Sequence, residues 1–181
     1  SNVRGEGDPK KLADARHSTY ADGLTVVTST PTIGTIETEE VNGLEFFSVT
    51  DNVESRTWQI FQQGTRKHFA VPCTHCGDYF VPKFKSLVWA EKSTPKEALL
   101  NASLSCFVCG ALNEQANKND MYKKGVYVSP GQTISKTGKV TGDAVEGVVD
   151  SYWCSGLFSP FKTWGERAAD WFADTEAKRR E

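Results

Sequence analysis

Several absences narrow what this chain can do. No apolar run is long enough to cross a bilayer, and no basic, apolar leader opens the chain. The expectation is therefore a soluble, intracellular protein with no membrane partner. Charge of neither sign prevails. The 21 Lys and Arg residues nearly balance the 23 Asp and Glu, for a net charge of −2. There is thus no global basic signal for nucleic acid or for an anionic surface. No G-x-x-x-x-G-K-[ST] loop occurs, and no apolar strand ends in an Asp-Glu pair. The residues that would cradle a nucleoside triphosphate and hold its magnesium are missing from the sequence, so hydrolysis by this chain alone is not expected. Cysteine is scarce, at 5 residues in 181. In an intracellular chain of about one domain plus a small appendage, that number favours a metal over a disulfide framework.

Four of those cysteines form the strongest pattern present. Cys73 and Cys76 lie in VPCTHCGDYF, and Cys106 and Cys109 in SLSCFVCGAL. Each pair is Cys-x-x-Cys followed by Gly, namely Gly77 and Gly110. Two intervening residues let both thiolates of a pair turn back onto one tetrahedral ion. The glycine tolerates positive φ, so the chain can turn tightly beside the sulfurs. Two facing knuckles make a closed four-thiolate site, and soft thiolates select zinc or iron. With no ligand position left for water, the expected role is structural. Redox dithiols and disulfides are the rival readings of the same residues. His75 sits inside the first knuckle and reads as a surface or supporting residue. The fifth cysteine, Cys154, reads as a small buried hydrophobe.

Along the chain, Asp8-Pro9 predicts a helix start, with the helix running to about Thr19. Leu24–Thr28 (LTVVT) predicts a buried strand that ends in the hydroxyl-rich tip Ser29-Thr30-Pro31-Thr32. A helix, a buried strand and a polar strand tip are the grammar of a parallel α/β sheet, whose ligands sit at strand ends. From the spacing alone, a polar loop capping the next element is the preferred reading of these hydroxyls. Glu37, Glu39 and Glu40 read as a solvated face, Leu44–Val49 as a short strand, and Val53–Gln63 as a helix with Val53, Ile60 and Phe61 on one face. Hairpins are expected around the cysteines, as in a zinc ribbon. In this region Arg66, Lys67, Lys83, Lys85, Lys92 and Lys96 outnumber Asp78, Glu91 and Glu97, which suits either phosphates or plain solvation. Val126–Val128 predicts a strand, and residues 129–147, rich in Gly, Ser and Thr, a loop or linker. Thr163-Trp164-Gly165-Glu166 is a capping box. It opens an amphipathic helix striped with Trp164, Ala168, Trp171 and Phe172.

Taken in order, these segments resemble the large subunit of phage DNA-packaging terminases, the lambda-type family. GEGDPKKLADAR is similar to that family's segment after the second nucleotide-binding strand, and TVVTSTPT to its coupling motif. RKHFAVPCTHCGDYFVP and LSCFVCGAL resemble its Cys-rich insertion. MYKKGVYVSPGQ and SYWCSGLFSPFKTWGE resemble the segments that follow. The resemblance implies an ATP-driven motor that translocates viral DNA and cuts concatemers, working in the host cytoplasm with ATP and magnesium in the complete parent. Its implied partners are double-stranded DNA, the small terminase subunit and the portal. Thr28, Ser29 and Thr30 would form the coupling motif, with Ser29 and Thr30 near the γ-phosphate and Thr28 and Pro31 shaping the tip, and Cys73, Cys76, Cys106 and Cys109 would hold structural zinc.

On this reading the chain is a middle piece of such a subunit. Its fold class is α/β, a remnant of a parallel-sheet P-loop ATPase domain with a small β-rich zinc-ribbon insertion and a C-terminal amphipathic helix. Residues 3–64 would be the end of the ATPase-like unit and 65–128 the four-cysteine module. Residues 129–147 would be a linker, and 148–181 an aromatic segment and helix leading toward a nuclease region. The rival reading is a free-standing zinc-ribbon adaptor that binds DNA or another packaging protein. Homo-oligomerisation would cover an exposed strand edge.

Overall fold

The computed structural model of the chain describes residues 9–20, 22–29, 37–51, 55–91 and 93–180. Among them the fold is mixed α/β, built from short helices and several small sheets around one long central strand.

Helix α1 (Pro9–His17) opens the described chain, with Arg16 and His17 in its last turn, where cations suit the helix dipole. Asp8, its expected cap, lies outside the described residues. Leu24–Ser29 then departs from the sequence expectation. No strand forms there, and Leu24, Val26 and Val27 are exposed, at 76%, 71% and 44%. A β-branched run becomes a strand only where a neighbour completes its ladder, and among the described residues none pairs with it.

Strands β1 (Thr38–Val41) and β2 (Leu44–Phe47) form an antiparallel hairpin with Glu40 opposite Glu45 and Val41 opposite Leu44. Its turn is Asn42-Gly43, both at positive φ (54° and 75°), the geometry a two-residue hairpin loop demands. The expected acidic face is exposed on β1, whereas all four residues of β2 are buried. The hairpin is pinned from below by charge. Glu45 takes Lys85 at 2.5 Å, Lys83 at 3.5 Å and the Thr38 hydroxyl at 2.7 Å. Burial alone would raise the Glu45 carboxyl, but Lys85, Thr38 and Lys83 bring it below the ordinary range. Burial pushes the Lys83 ammonium down to about 8 despite Glu45.

Helix α2 (Arg56–Gln62) is capped by the Ser55 hydroxyl, which accepts from Trp58 N–H. Its buried residues are Trp58 and Phe61. Val53, expected on that face, lies outside the described residues. Strand β3 (Lys67–Pro72) is the hub. It pairs antiparallel with β4 (Tyr79–Phe80) and β8 (Val126–Val128), and parallel with β11 (Tyr152–Trp153). A second sheet, β5-β6-β7 (Leu87–Val88, Ser103–Ser105, Leu112–Asn113), carries the other half of the cysteine site.

Helix α3 (Pro95–Asn101) has a capping box of Thr94 and Glu97 that the sequence reading passed over. Helix α4 (Lys118–Lys123) precedes β8. Inside the stretch read as a linker, β9 (Thr133–Ile134) and β10 (Val140–Thr141) form a small hairpin. Helix α5 (Trp164–Arg180) forms with its expected box. Thr163 N–H donates to Glu166 at 2.6 Å, and Glu166 N–H to the Thr163 hydroxyl at 3.1 Å. Along its stripe Trp164 and Ala168 are fully buried, while Trp171 is 41% exposed, tilted against Trp89 and edge to face with Phe172. Gly165 is obligatory here, because a Cβ would fall 1.8 Å from the Leu99 carbonyl oxygen of α3.

One core gathers Phe69, Val71, Phe80, Leu104, Met121, Phe158 and Trp164 between the two sheets and α5. Two of the cysteines, Cys73 and Cys106, belong to it.

Candidate metal centre

The two knuckles are built alike. In the first, Cys73 N–H donates to Asp78 O (2.9 Å) and Gly77 N–H to Cys73 O (3.0 Å). In the second, Cys106 N–H donates to Ala111 O (2.9 Å) and Gly110 N–H to Cys106 O (2.9 Å). Gly77 and Gly110 sit at φ 75° and 72°, in the left-handed region that a Cβ disfavours. This is the conformation the sequence predicts for a residue following Cys-x-x-Cys. Strands β3 and β4 flank the first knuckle, and β6 and β7 the second.

All four sulfurs converge, with the Sγ atoms of Cys73, Cys76, Cys106 and Cys109 lying within 4.8 Å of one another. Cys73 and Cys109 are 3.8 Å apart, and Cys76 and Cys106 4.0 Å. Four thiolates arranged tetrahedrally at zinc–sulfur bond lengths would stand roughly 3.8 Å apart. A disulfide would need about half that separation, and all five cysteines are free. The donor set and its spacing fit a single tetrahedral ion held by four sulfurs.

The two buried sulfurs, Cys73 and Cys106, meet opposite surroundings. Burial raises the Cys73 thiol, but the N–H groups of Cys76 and His75 outweigh it and bring the thiol down to about 7. Burial drives Cys106 up to about 12 despite the N–H groups of Cys109 and Val108. Protein groups alone do not ionise the whole set, so a bound cation would supply what four thiolates need.

The site has supports that local sequence reasoning missed. Asn113, fully buried, accepts from Thr74 N–H (2.9 Å) and the Thr74 hydroxyl (2.7 Å), and its amide donates to Leu104 O (3.1 Å). It thereby ties the first knuckle to the strands of the second. His75 is exposed, as expected for a residue outside the sulfur set, and its Nε2 lies 3.1 Å from Leu112 O. Lys136, at the tip of the β9–β10 hairpin, donates to Cys76 O (2.9 Å) and pairs with Asp78 (3.2 Å). The sole hint of Asn113 in the sequence was an amide in an otherwise apolar strand. For Lys136 there was none. Cys154 is exposed, not the core residue expected, because it follows the short β11 onto an open surface.

Thr28 and Ser29 line a groove that includes none of the four clustered cysteines. They are exposed on one wall of this open groove of about 600 Å³, opposite Thr57, Ile60 and Phe61 of α2 and residues 149–152. Thr30, Pro31 and Thr32 lie outside the described residues.

Comparison with known proteins gives one family. A family model described as phage terminase large subunit gpA, ATPase domain, matches residues 1–127, a span that includes all four cysteines. No curated protein and no solved structure matches.

Proposed function

The chain belongs to the phage terminase large subunit gpA family, and from that premise we propose that it serves as part of an ATP-driven motor that packages viral DNA. Membership over residues 1–127 is the observation that carries the reading. The parent enzyme would also cut concatemers, acting in the host cytoplasm on double-stranded DNA with a small terminase subunit and a portal as partners. Residues 3–64 would contribute the end of the ATPase unit, with Thr28, Ser29 and Thr30 coupling loss of the γ-phosphate to movement. Residues 65–128 would form the zinc-ribbon module, 129–147 its connection, and 148–181 the path toward a nuclease region. The absence of a phosphate-binding loop supports a segment that does no hydrolysis by itself.

Cys73, Cys76, Cys106 and Cys109 would hold zinc in a structural role. The ion would cross-link the two small sheets beside the core they share, and its binding energy would be folding energy. The alternative, a zinc-ribbon adaptor, draws on the exposed Phe107 and Val108 at the tip of the second knuckle, a surface suited to protein contact.

The test is packaging in the phage or prophage that carries this gene, scored as DNase-protected genome. A Cys73→Ser/Cys106→Ser double variant and a Ser29→Ala variant should each lose packaged DNA. Undiminished packaging with both would overturn the motor reading.

A further inference from the structure

The Phe69 face of the central sheet carries an aromatic surface outside the cysteine site, and it shares only Tyr152 with the groove. Tyr127 on β8 stands opposite Phe69 on β3, and Tyr152 on β11 stands opposite Lys67 on β3. The Tyr127 and Tyr152 rings meet edge to face, 5.1 Å between centroids. Phe69 lies beneath, 5.2 Å from Tyr127 and 5.6 Å from Tyr122 of α4. Phe69 is 7% exposed and rests on the backbone of Gly125, where a Cβ would fall 2.1 Å from its ring. The three tyrosines above it remain open: Tyr122 is 50% exposed, Tyr127 40% and Tyr152 54%.

Three adjoining half-exposed rings on a rigid floor leave apolar surface uncovered, and such patches mark binding sites. Cations border it. Lys67 Nζ sits 5.1 Å over the Tyr152 ring, held by Asp150 at 2.7 Å. Lys123 and Lys124 follow Tyr122 directly and are exposed. Flat aromatic faces with neighbouring ammonium groups match a ligand made of flat bases on an anionic backbone. A base offers its face only when it is unpaired and unstacked, so the ligand is single-stranded.

The geometry points to a stacking platform for single-stranded nucleic acid, formed by Tyr122, Tyr127 and Tyr152, with Lys67, Lys123 and Lys124 facing its phosphates. Base stacking tolerates any sequence, so little base preference is expected. The platform goes beyond the motor reading, which concerns duplex DNA, and the two fail separately, since packaging is scored on duplex genome.

The experiment is fluorescence anisotropy of a labelled fifteen-nucleotide oligo-dT with the full, metal-loaded chain. Binding is expected, with a fifteen-base-pair duplex weaker. A Tyr127→Ala/Tyr152→Ala double variant should lose about tenfold or more in affinity. Tyr127→Phe/Tyr152→Phe, which keeps the rings, should stay within about threefold. Lys123→Gln/Lys124→Gln should flatten the dependence on salt. Photocrosslinking of 5-iodouracil oligonucleotides to the unaltered chain gives a readout independent of folding in the variants. Crosslinks should map to peptides containing Tyr122, Tyr127 or Tyr152. The proposal is overturned by absent binding, by unchanged affinity in the alanine variant, by crosslinks confined elsewhere, or by a proline-rich peptide binding this face where oligo-dT does not.

Discussion

Acid should unlock this fold at one imidazole. His68 is fully buried on β3, boxed by Phe46, Phe47, Phe61 and Trp153 with ring centroids 5.1–5.6 Å away. Its Nε2 accepts the Phe47 N–H at 3.2 Å, and its Nδ1 donates to Arg66 O at 2.8 Å. Both bonds require the neutral ring carrying its proton on Nδ1. Protonation would place a second N–H against the Phe47 donor and bury a charge near Lys83 and Arg66. Burial first, then those two cations, lower its pKa from 6.5 to about 4, although the Arg66 carbonyl pulls the other way.

Because the folded value lies below the unfolded one, the unfolded chain takes up the proton first as pH falls. The neutral ring's contribution is therefore complete above about 6.5 and drains away between there and about 4. At ~1.4 kcal/mol per pH unit, roughly 3 kcal/mol is at stake, a large part of a small domain's margin. NMR titration of the three histidines reads this directly. His68 should stay neutral down to about 4, or until the protein unfolds. Denaturant unfolding of His68→Phe beside the unaltered chain supplies the energetic side. Protonation of the cysteines affects both alike, so the gap between them should shrink as pH falls from 7 to 4.5. A His68 that titrates near 6.5, or a gap that ignores pH, would refute the reasoning.

Other perturbations have clear expected outcomes. Removing the metal with a strong chelator should release close to one zinc per chain and lower the melting temperature sharply; an unchanged melt after verified removal counts against a structural ion. Gly165→Ala drives a methyl into the backbone of α3 and should cost at least ~2 kcal/mol in urea unfolding, where a surface Gly→Ala in a helix would stabilise. Lys118→Met should cost about 2–3 kcal/mol, because the buried ammonium donates to Ser159 O (2.7 Å) and Lys162 O (2.5 Å), and both carbonyls would lose their donor. A coupled-enzyme assay should detect no magnesium-dependent ATP hydrolysis by the purified chain, since no phosphate-binding loop is present; steady turnover would contradict this.

The cysteine centre was legible because its determinants are local. Two residues between sulfurs and a glycine after them dictate the knuckle wherever the chain goes, and both knuckles formed as read. The capping box at Thr163 was legible for the same reason. His68 and Asn113 were not, since their importance comes from what packs against them across 21 and 39 residues of chain. Lys136 reaches the first knuckle from 60 residues away, inside a stretch whose Gly, Ser and Thr content suggested only a loop. At Leu24–Val27 the composition is that of a strand, but composition supplies side chains and not a neighbouring ladder. Local propensity proposes and pairing decides.

The position of the sulfurs between partner strands bears on the order in which the molecule assembles. Strand β3 ends just before the first knuckle, and β8 begins well after the second, so their pairing encloses the whole cysteine loop. Held by an ion, Cys73 and Cys109 close a span of 36 positions. The remaining search from β3 to β8 then shrinks from about 60 residues to about 25, saving roughly 0.8 kcal/mol of loop-closure entropy, or about fourfold in the chance of encounter. Zinc offered at the start of refolding would act as a pacemaker, speeding sheet formation. The same ion added after collapse would only lock what had already formed.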